Sequence, residues 1–248
     1  HFLKKSTLPV DLPDLPALHP SLVHLSNIVT TEGEIMKILE GLNINKASGY
    51  DNISNRILKQ TSKAIAKPLS ELFNKSFSSG TYPDIWKRVN VPPVFKQSDK
   101  QSKTNYRPIS LLPNIGKVQE RVAFKHMYKF CLEHSLLTWR NSGYKPLDSS
   151  INQMILISHR IYAALEKGHD VCFVSLDASA AFDRVWHAGL IYKLKCKGIC
   201  GKLLEWIESY LAIGIKGSLL KVNSLNGLKY LLECPRAQFW ARFFFSSI

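Results

Sequence analysis

Apolar residues recur at helical spacing along most of this chain and run together without interruption at one place. Thr31-x-x-Glu34 has the form of a capping box, and Ile35, Ile38, Leu39 and Leu42 follow at intervals of three or four. A second helix is expected through Ile57, Leu58 and Ile65. A third is expected to begin at Pro68, which suits a first turn because it has no N–H to leave unpaired. Leu69, Leu72, Phe73 and Phe77 would share its inner face, and Gly80 would stop it. Longer helical patterns run from about Ile115 to Leu136 and from about Ser150 to Lys167, the second punctuated by Gly168. Two shorter helices are expected over about 187–198 and 201–212. Trp86 to Phe95 alternates, which predicts a strand, and Pro92 and Pro93 confine it to a sheet edge. Val171 to Asp177 is nearly continuous in apolar residues, which predicts a short buried strand ending in a carboxylate. Strand-like sequence resumes near Ile215–Val222. The pattern is that of an α+β chain, preceded over residues 1–30 by a proline-bearing linker or approach segment.

Composition narrows the class. Of 248 residues, 45% are apolar and 21% charged, which is globular and too rich in large apolar residues for intrinsic disorder. No apolar stretch approaches the roughly 20 residues that span a bilayer, so no membrane role is expected. The chain opens on His1, and Phe2-Leu3-Lys4-Lys5 lacks the apolar core of a secretion signal, so it reads as an intracellular fragment. Five cysteines without CxxC spacing indicate a reducing compartment, and Cys196 and Cys200 lack the second ligand pair of a zinc site. The net charge, 33 − 19 = +14, is spread along the chain and points to a polyanionic partner, nucleic acid before membrane.

The chemistry concentrates where the apolar run ends. Asp177 closes the expected strand and Asp183 follows six residues later. A carboxylate there needs a cation or hydrogen-bond donors to offset desolvation. Mg²⁺ suits it, as a hard ion held by one or two carboxylates plus substrate phosphates. A helix cap formed by Asp177 or Ser179 fits the segment equally well.

The wider motif order favours the first reading. Lys46-Ala47-Ser48-Gly49-Tyr50-Asp51, then Val94-Phe95-Lys96 with Asn105-Tyr106-Arg107-Pro108-Ile109-Ser110-Leu111-Leu112, then Lys117-Val118-Gln119-Glu120-Arg121, then Gly143-Tyr144-Lys145-Pro146, then Leu176 to Trp186, occur in sequence. Together these resemble the reverse transcriptase of LINE-type (non-LTR) retrotransposons, of the jockey-like and chicken-repeat-like kind, over about residues 30 to 232. The resemblance implies a right-hand polymerase: mostly helical fingers and an incomplete antiparallel palm sheet backed by helices. Residues 31–168 would be fingers and the start of the palm, and 169–232 a partial palm. It implies RNA-directed DNA synthesis with Mg²⁺ (or Mn²⁺), on an RNA template, a DNA primer and dNTPs, in cytoplasm and nucleus. Asp177 would be the first catalytic aspartate and metal ligand, with the Ala178 carbonyl beside it. Lys96 and Arg107 would reach the nucleotide triphosphate, with a solvated fingertip and a surface ion pair as their alternatives. Phe182 would lie under the sugar, unless it is simply core. Asp183 would support the site or be structural. Lys117, Arg121 and Lys145 would contact nucleic acid.

Some positions depart from the family pattern. Ala180 stands in place of the usual lysine, Lys145 in place of arginine, Gln119 at a commonly apolar helix position, and Pro92 within the fingers strand. The second aspartate pair of the family is absent, Asp183 being the last aspartate. Its G-V-P-Q-G-S loop is absent too. Glu233 to Arg242, back-translated and read one base out of frame, spells G-V-P-Q-G-S-V-L-G-P, so residues 233–248 are expected to be a frameshifted tail. The alternative to an enzyme is a catalytically inactive, nucleic-acid-binding remnant of that polymerase.

Overall fold

The computed structural model describes residues 23–90, 92–95, 99–102, 105–137, 142–143, 147–176 and 185–212, with positions 107 and 108 described through their backbone. Its elements are α1 (Glu32–Glu40), α2 (Asn55–Gln60), α3 (Ser62–Ser79), a 3₁₀ turn (Asp84–Lys87), β1 (Pro93–Phe95), β2 (Tyr106–Pro108), α4 (Asn114–Glu133), α5 (Ser150–Leu165), α6 (His187–Cys196) and α7 (Gly201–Leu211). The described residues are therefore mostly helical, with one antiparallel pair of strands. None of their helices is long and apolar enough to cross a membrane. The chain divides into two compact units: described residues up to 130 together with 186–212, and those of 131–185.

The first unit is built around α3. Ser62, Ala66, Leu69, Phe73 and Phe77 recur every three or four residues and form its buried stripe. α1 and α7 pack against this helix. Trp206 of α7 lies 5.0 Å from Phe77 and 5.3 Å from Tyr82, and Tyr82 meets Tyr210 edge-on at 4.9 Å. These two contacts of Tyr82 are edge-to-face, which suits aromatic quadrupoles, and the Phe77–Trp206 pair is tilted at 49°. The indole N–H donates to Ser76 Oγ at 3.0 Å, and that hydroxyl donates to the Thr81 carbonyl at 2.7 Å. The core thus buries large rings without orphaning their polar atoms.

Residues 23–30, the end of the expected approach segment, are tied into this core. Leu25 forms a parallel bridge with Ile199, and the Leu203 N–H at the start of α7 donates to the Ser26 carbonyl. The Asn74 side-chain amide both accepts from Thr30 N–H (2.8 Å) and donates to its carbonyl (2.9 Å), as a neighbouring strand would. Ile28 is buried.

Several expectations hold and some do not. Thr31 caps α1 by accepting from Glu34 N–H, and Gly80 closes α3 in the left-handed conformation at φ 67°. Pro68, however, sits inside α3, which starts six residues earlier. The buried stripe continues straight through it while Pro68 faces solvent, so burial overrides the local cost of a missing N–H. Ile57 and Leu58 belong to α2 and Ile65 to α3, because the helices break at Thr61.

In the second unit, Ser149 caps α5 by accepting from Asn152 N–H, and Gly168 (φ 72°) follows the helix end. The buried strand expected from Val171 is not formed over 171–176. Phe173, Val174 and Leu176 are 65%, 71% and 93% exposed. A strand takes its hydrogen bonds from a neighbour, and no described residue supplies that ladder. The antiparallel palm sheet is accordingly not among the described elements. The last residue of that expected strand, Asp177, lies outside the described residues, as does Ile215–Val222.

Candidate nucleic-acid interface

The first unit brings two distant motifs into one frame. Asn105 opens the second of them: its side chain donates to the Asp99 carbonyl at 2.8 Å, closing the connection between the strands. Tyr106-Arg107-Pro108 forms β2, paired antiparallel with β1 in the register Pro93↔Pro108, Val94↔Arg107 and Phe95↔Tyr106. The pairing continues beyond the strands, through Ile109 N–H to the Pro92 carbonyl and a two-way exchange between Asn90 and Leu111. Pro93, opposite Pro108, turns its nitrogen to the unpaired side of this two-stranded ribbon, whereas Pro92 faces Ile109 and takes part through its carbonyl alone, without a return N–H. Phe95 and Tyr106 rings lie 5.5 Å apart, and Lys100 Nζ stands 5.9 Å from the Phe95 ring centre.

Leu112 and Pro113 then pass beneath the Lys46–Asp51 loop. A β-carbon at Gly49 would lie 2.5 Å from Pro113 N and 2.7 Å from the Leu112 carbonyl carbon, so only glycine allows this backbone approach. Asn114, buried at the start of α4, donates to the Ile53 carbonyl at 2.8 Å and accepts from Lys117 Nζ at 3.2 Å. Asp51 caps its own turn by accepting from Ile53 N–H, and Tyr50 donates its hydroxyl to the Ile85 carbonyl. Gly116 admits Tyr82 and Trp86 against the first turn of α4.

Charge is distributed unevenly on this frame. Burial pushes the Lys117 ammonium below the usual lysine range, and Glu120 and Asp51 oppose that shift. Arg121, one turn on, is exposed. Glu34 of α1 holds α4 further along, at 2.7 Å from Lys125 Nζ, 3.0 Å from His126 Nε2 and 2.8 Å from Thr30 Oγ1. Burial raises the Glu34 carboxyl, but these bonds outweigh it and bring the group from 4.5 down to about 2. The Glu34 side chain, expected only to complete a cap, is thus a tie between two helices.

Of the residues singled out by sequence, Lys117 and Arg121 lie on α4 and Arg107 on β2 opposite Val94. Lys96, Lys145, Asp177, Ala178, Phe182 and Asp183 lie outside the described residues. Sequence reasoning missed Gly49 and Asn114 as joining residues. A glycine between Ser48 and Tyr50 announces a turn, not the backbone 64 positions later on which it rests. Among the described residues no group of three His, Cys, Asp or Glu side chains could hold a metal ion, and Asp177, expected to be the metal ligand, is not among them.

Residues 96–234 match the family model of the reverse transcriptase (RNA-dependent DNA polymerase). The chain is 29% identical over 163 residues, 65% of its length, to the probable RNA-directed DNA polymerase from transposon BS of Drosophila melanogaster. It is 29% identical over 168 residues, 67% of its length, to the RNA-directed DNA polymerase from mobile element jockey of the same species. Identity to the probable RNA-directed DNA polymerase from transposon X-element, also of that fly, is 28% over 163 residues, 65% of the chain. The aligned part spans 18% of each of these relatives.

Proposed function

We propose, since this chain belongs to the reverse transcriptase (RNA-dependent DNA polymerase) family, that it serves RNA-templated DNA synthesis for a non-LTR retrotransposon. The observation that carries this reading is the family match over residues 96–234, which begins in the frame joining the Asn105–Leu112 motif to the Gly49 loop. Such a frame suits a part that must grip phosphates at fixed geometry, since positioning and charge stabilisation dominate phosphoryl transfer. We assign the triphosphate to Lys96 and Arg107, whose planar fork suits two phosphate oxygens. Phe182 is assigned to the sugar and Asp183 to support of the site. Lys117, Arg121 and Lys145 are assigned to the template–primer backbone. A divalent metal, Mg²⁺ or Mn²⁺, neutralises phosphate charge in this chemistry, and Asp177 with the Ala178 carbonyl is the pair assigned to hold it. The fingers, the incomplete antiparallel palm and the frameshifted tail at 233–248 belong to the same proposal; codons incompatible with the out-of-frame reading would sink the last of these.

A second reading has its own observation. No aspartate follows Asp183, so the chain as given carries one of the carboxylate clusters this chemistry requires. On that reading the chain holds nucleic acid without extending it. Primer extension on an RNA template separates the two. Nucleotide incorporation that disappears in Asp177→Ala supports the enzyme. Salt-dependent binding without incorporation supports the binding reading. Absence of any polynucleotide binding at low salt overturns both.

A further inference from the structure

The strongest unassigned feature lies outside the family match, on α2 and α3. Arg56 and Lys59 of α2 and Lys63, Lys67 and Lys75 of α3 are all exposed. Among the described residues, no carboxylate pairs with any of them. Three lysines elsewhere in the first unit do pair with carboxylates: Lys87 with Asp84, Lys125 with Glu34, Lys202 with Glu205. Glu71 is the one acidic residue of the two helices.

The arrangement is electrostatically unfavourable for the chain alone. Neither α2 nor α3 has an acidic residue in its first turn. Arg56 and Lys63 instead stand second in their helices, where the positive end of the helix dipole disfavours a cation. Arg56 and Lys59 on α2, and Lys63 and Lys67 on α3, stand three or four apart, where like-charged helical neighbours repel, while Glu71 stands four from both Lys67 and Lys75. An anion lying along this face would relieve that repulsion.

We infer that the solvent face of α2 and α3 docks the phosphate backbone of a double-helical nucleic acid, the RNA–DNA hybrid implied by the polymerase reading on which this inference rests. From Lys63 to Lys75 the helix rises about 18 Å, which faces about five phosphates of one strand. The face carries no aromatic ring, because Phe73 and Phe77 are fully buried. It therefore offers no platform for unstacked bases, which single-strand binders use. It also lacks the large apolar stripe of a membrane-surface helix, having only Ile57 and Leu72 exposed among its large apolar residues.

The test is fluorescence anisotropy with a labelled RNA–DNA hybrid of about 20 bp and with the RNA strand alone, between 50 and 200 mM salt. The variants are Lys59→Gln/Lys63→Gln/Lys67→Gln and, separately, Glu71→Gln. Removing three phosphate contacts lowers the slope of log affinity against log salt by about 2.7. Glu71→Gln tightens hybrid binding, a gain that misfolding cannot produce. The triple variant keeps the wild-type melting temperature or exceeds it, since its side chains are exposed and Lys63 opposes the helix dipole. If the wild-type chain binds no hybrid, the polymerase reading fails with this inference. If it binds, and neither affinity nor slope changes in the variants, the inference alone is overturned. Tighter binding of the single strand, with the larger loss there, overturns the choice of a double helix.

Discussion

Replacing Gly49 by alanine adds one methyl group at the contact that joins the Lys46–Asp51 loop to Leu112 and Pro113. The new carbon would stand 2.5 Å from Pro113 N, 2.7 Å from Leu112 C and 2.8 Å from Leu112 O. All three are backbone atoms, so no rotamer change can make room. One segment must retreat by about an ångström to restore ordinary contact, an overpacking strain of about 1–3 kcal/mol. That retreat also stretches the Asn114 bond to the Ile53 carbonyl, now 2.8 Å. Its loss adds about 1 kcal/mol, for a total of about 2–4 kcal/mol. In a protein of this size that lowers the melting temperature by roughly 4–15 °C. Gly33 provides the internal control. It lies in the first turn of α1, where an added β-carbon would meet nothing within 4 Å, so Gly33→Ala should stabilise by about 0.5–1 kcal/mol. Thermal melts followed by circular dichroism at about 222 nm, the helix band, decide the matter. Should Gly49→Ala melt within a degree of wild type while Gly33→Ala rises, the close backbone approach at Gly49 is wrong.

Three further outcomes are expected. Gln119 is fully buried, and neither side-chain amide atom has a hydrogen-bond partner among the described residues. Gln119→Met, similar in shape and apolar, should therefore raise stability by about 1–2 kcal/mol in urea unfolding; a loss would mean that the amide is bonded. Asn74→Ala removes both bonds to the Thr30 backbone and leaves its N–H and carbonyl short of a partner, at a cost of about 1–3 kcal/mol, whereas an unchanged urea midpoint would show the pair to be dispensable. Because the Glu34 carboxyl is depressed to about 2, its contribution is complete above about pH 4.5 and disappears as pH falls towards 2. With Lys125 64% exposed, solvent screening limits that contribution to about 1–2 kcal/mol. Glu34→Gln should show a correspondingly smaller loss of stability between about pH 5 and pH 2.5, and an equal loss in both proteins would refute the assignment.

Much of the helical framework is legible from sequence, because its signals are local. A buried stripe repeats every three or four residues whatever it packs against, and a cap needs only its own turn. Thr31, Gly80 and Gly168 therefore mark their helix ends correctly. The family membership of the chain is legible for a similar reason: motifs such as Asn105 to Leu112 keep their order wherever they lie in space. What needs a distant partner is not legible. Pro68 looks like a helix start until α1 and α7 are seen to bury the stripe running past it. Val171 to Leu176 looks like a buried strand, yet an apolar run alone cannot name the neighbour that would supply its ladder. Glu34 completes a sequence pattern for a cap, but its carboxylate is engaged by Lys125, His126 and Thr30. Gly49 reads as a turn residue, while its hardest constraint comes from the backbone at Leu112 and Pro113. Periodicity and capping are properties of neighbouring residues and survive in the sequence; contact between segments far apart in the chain exists only once both have been placed.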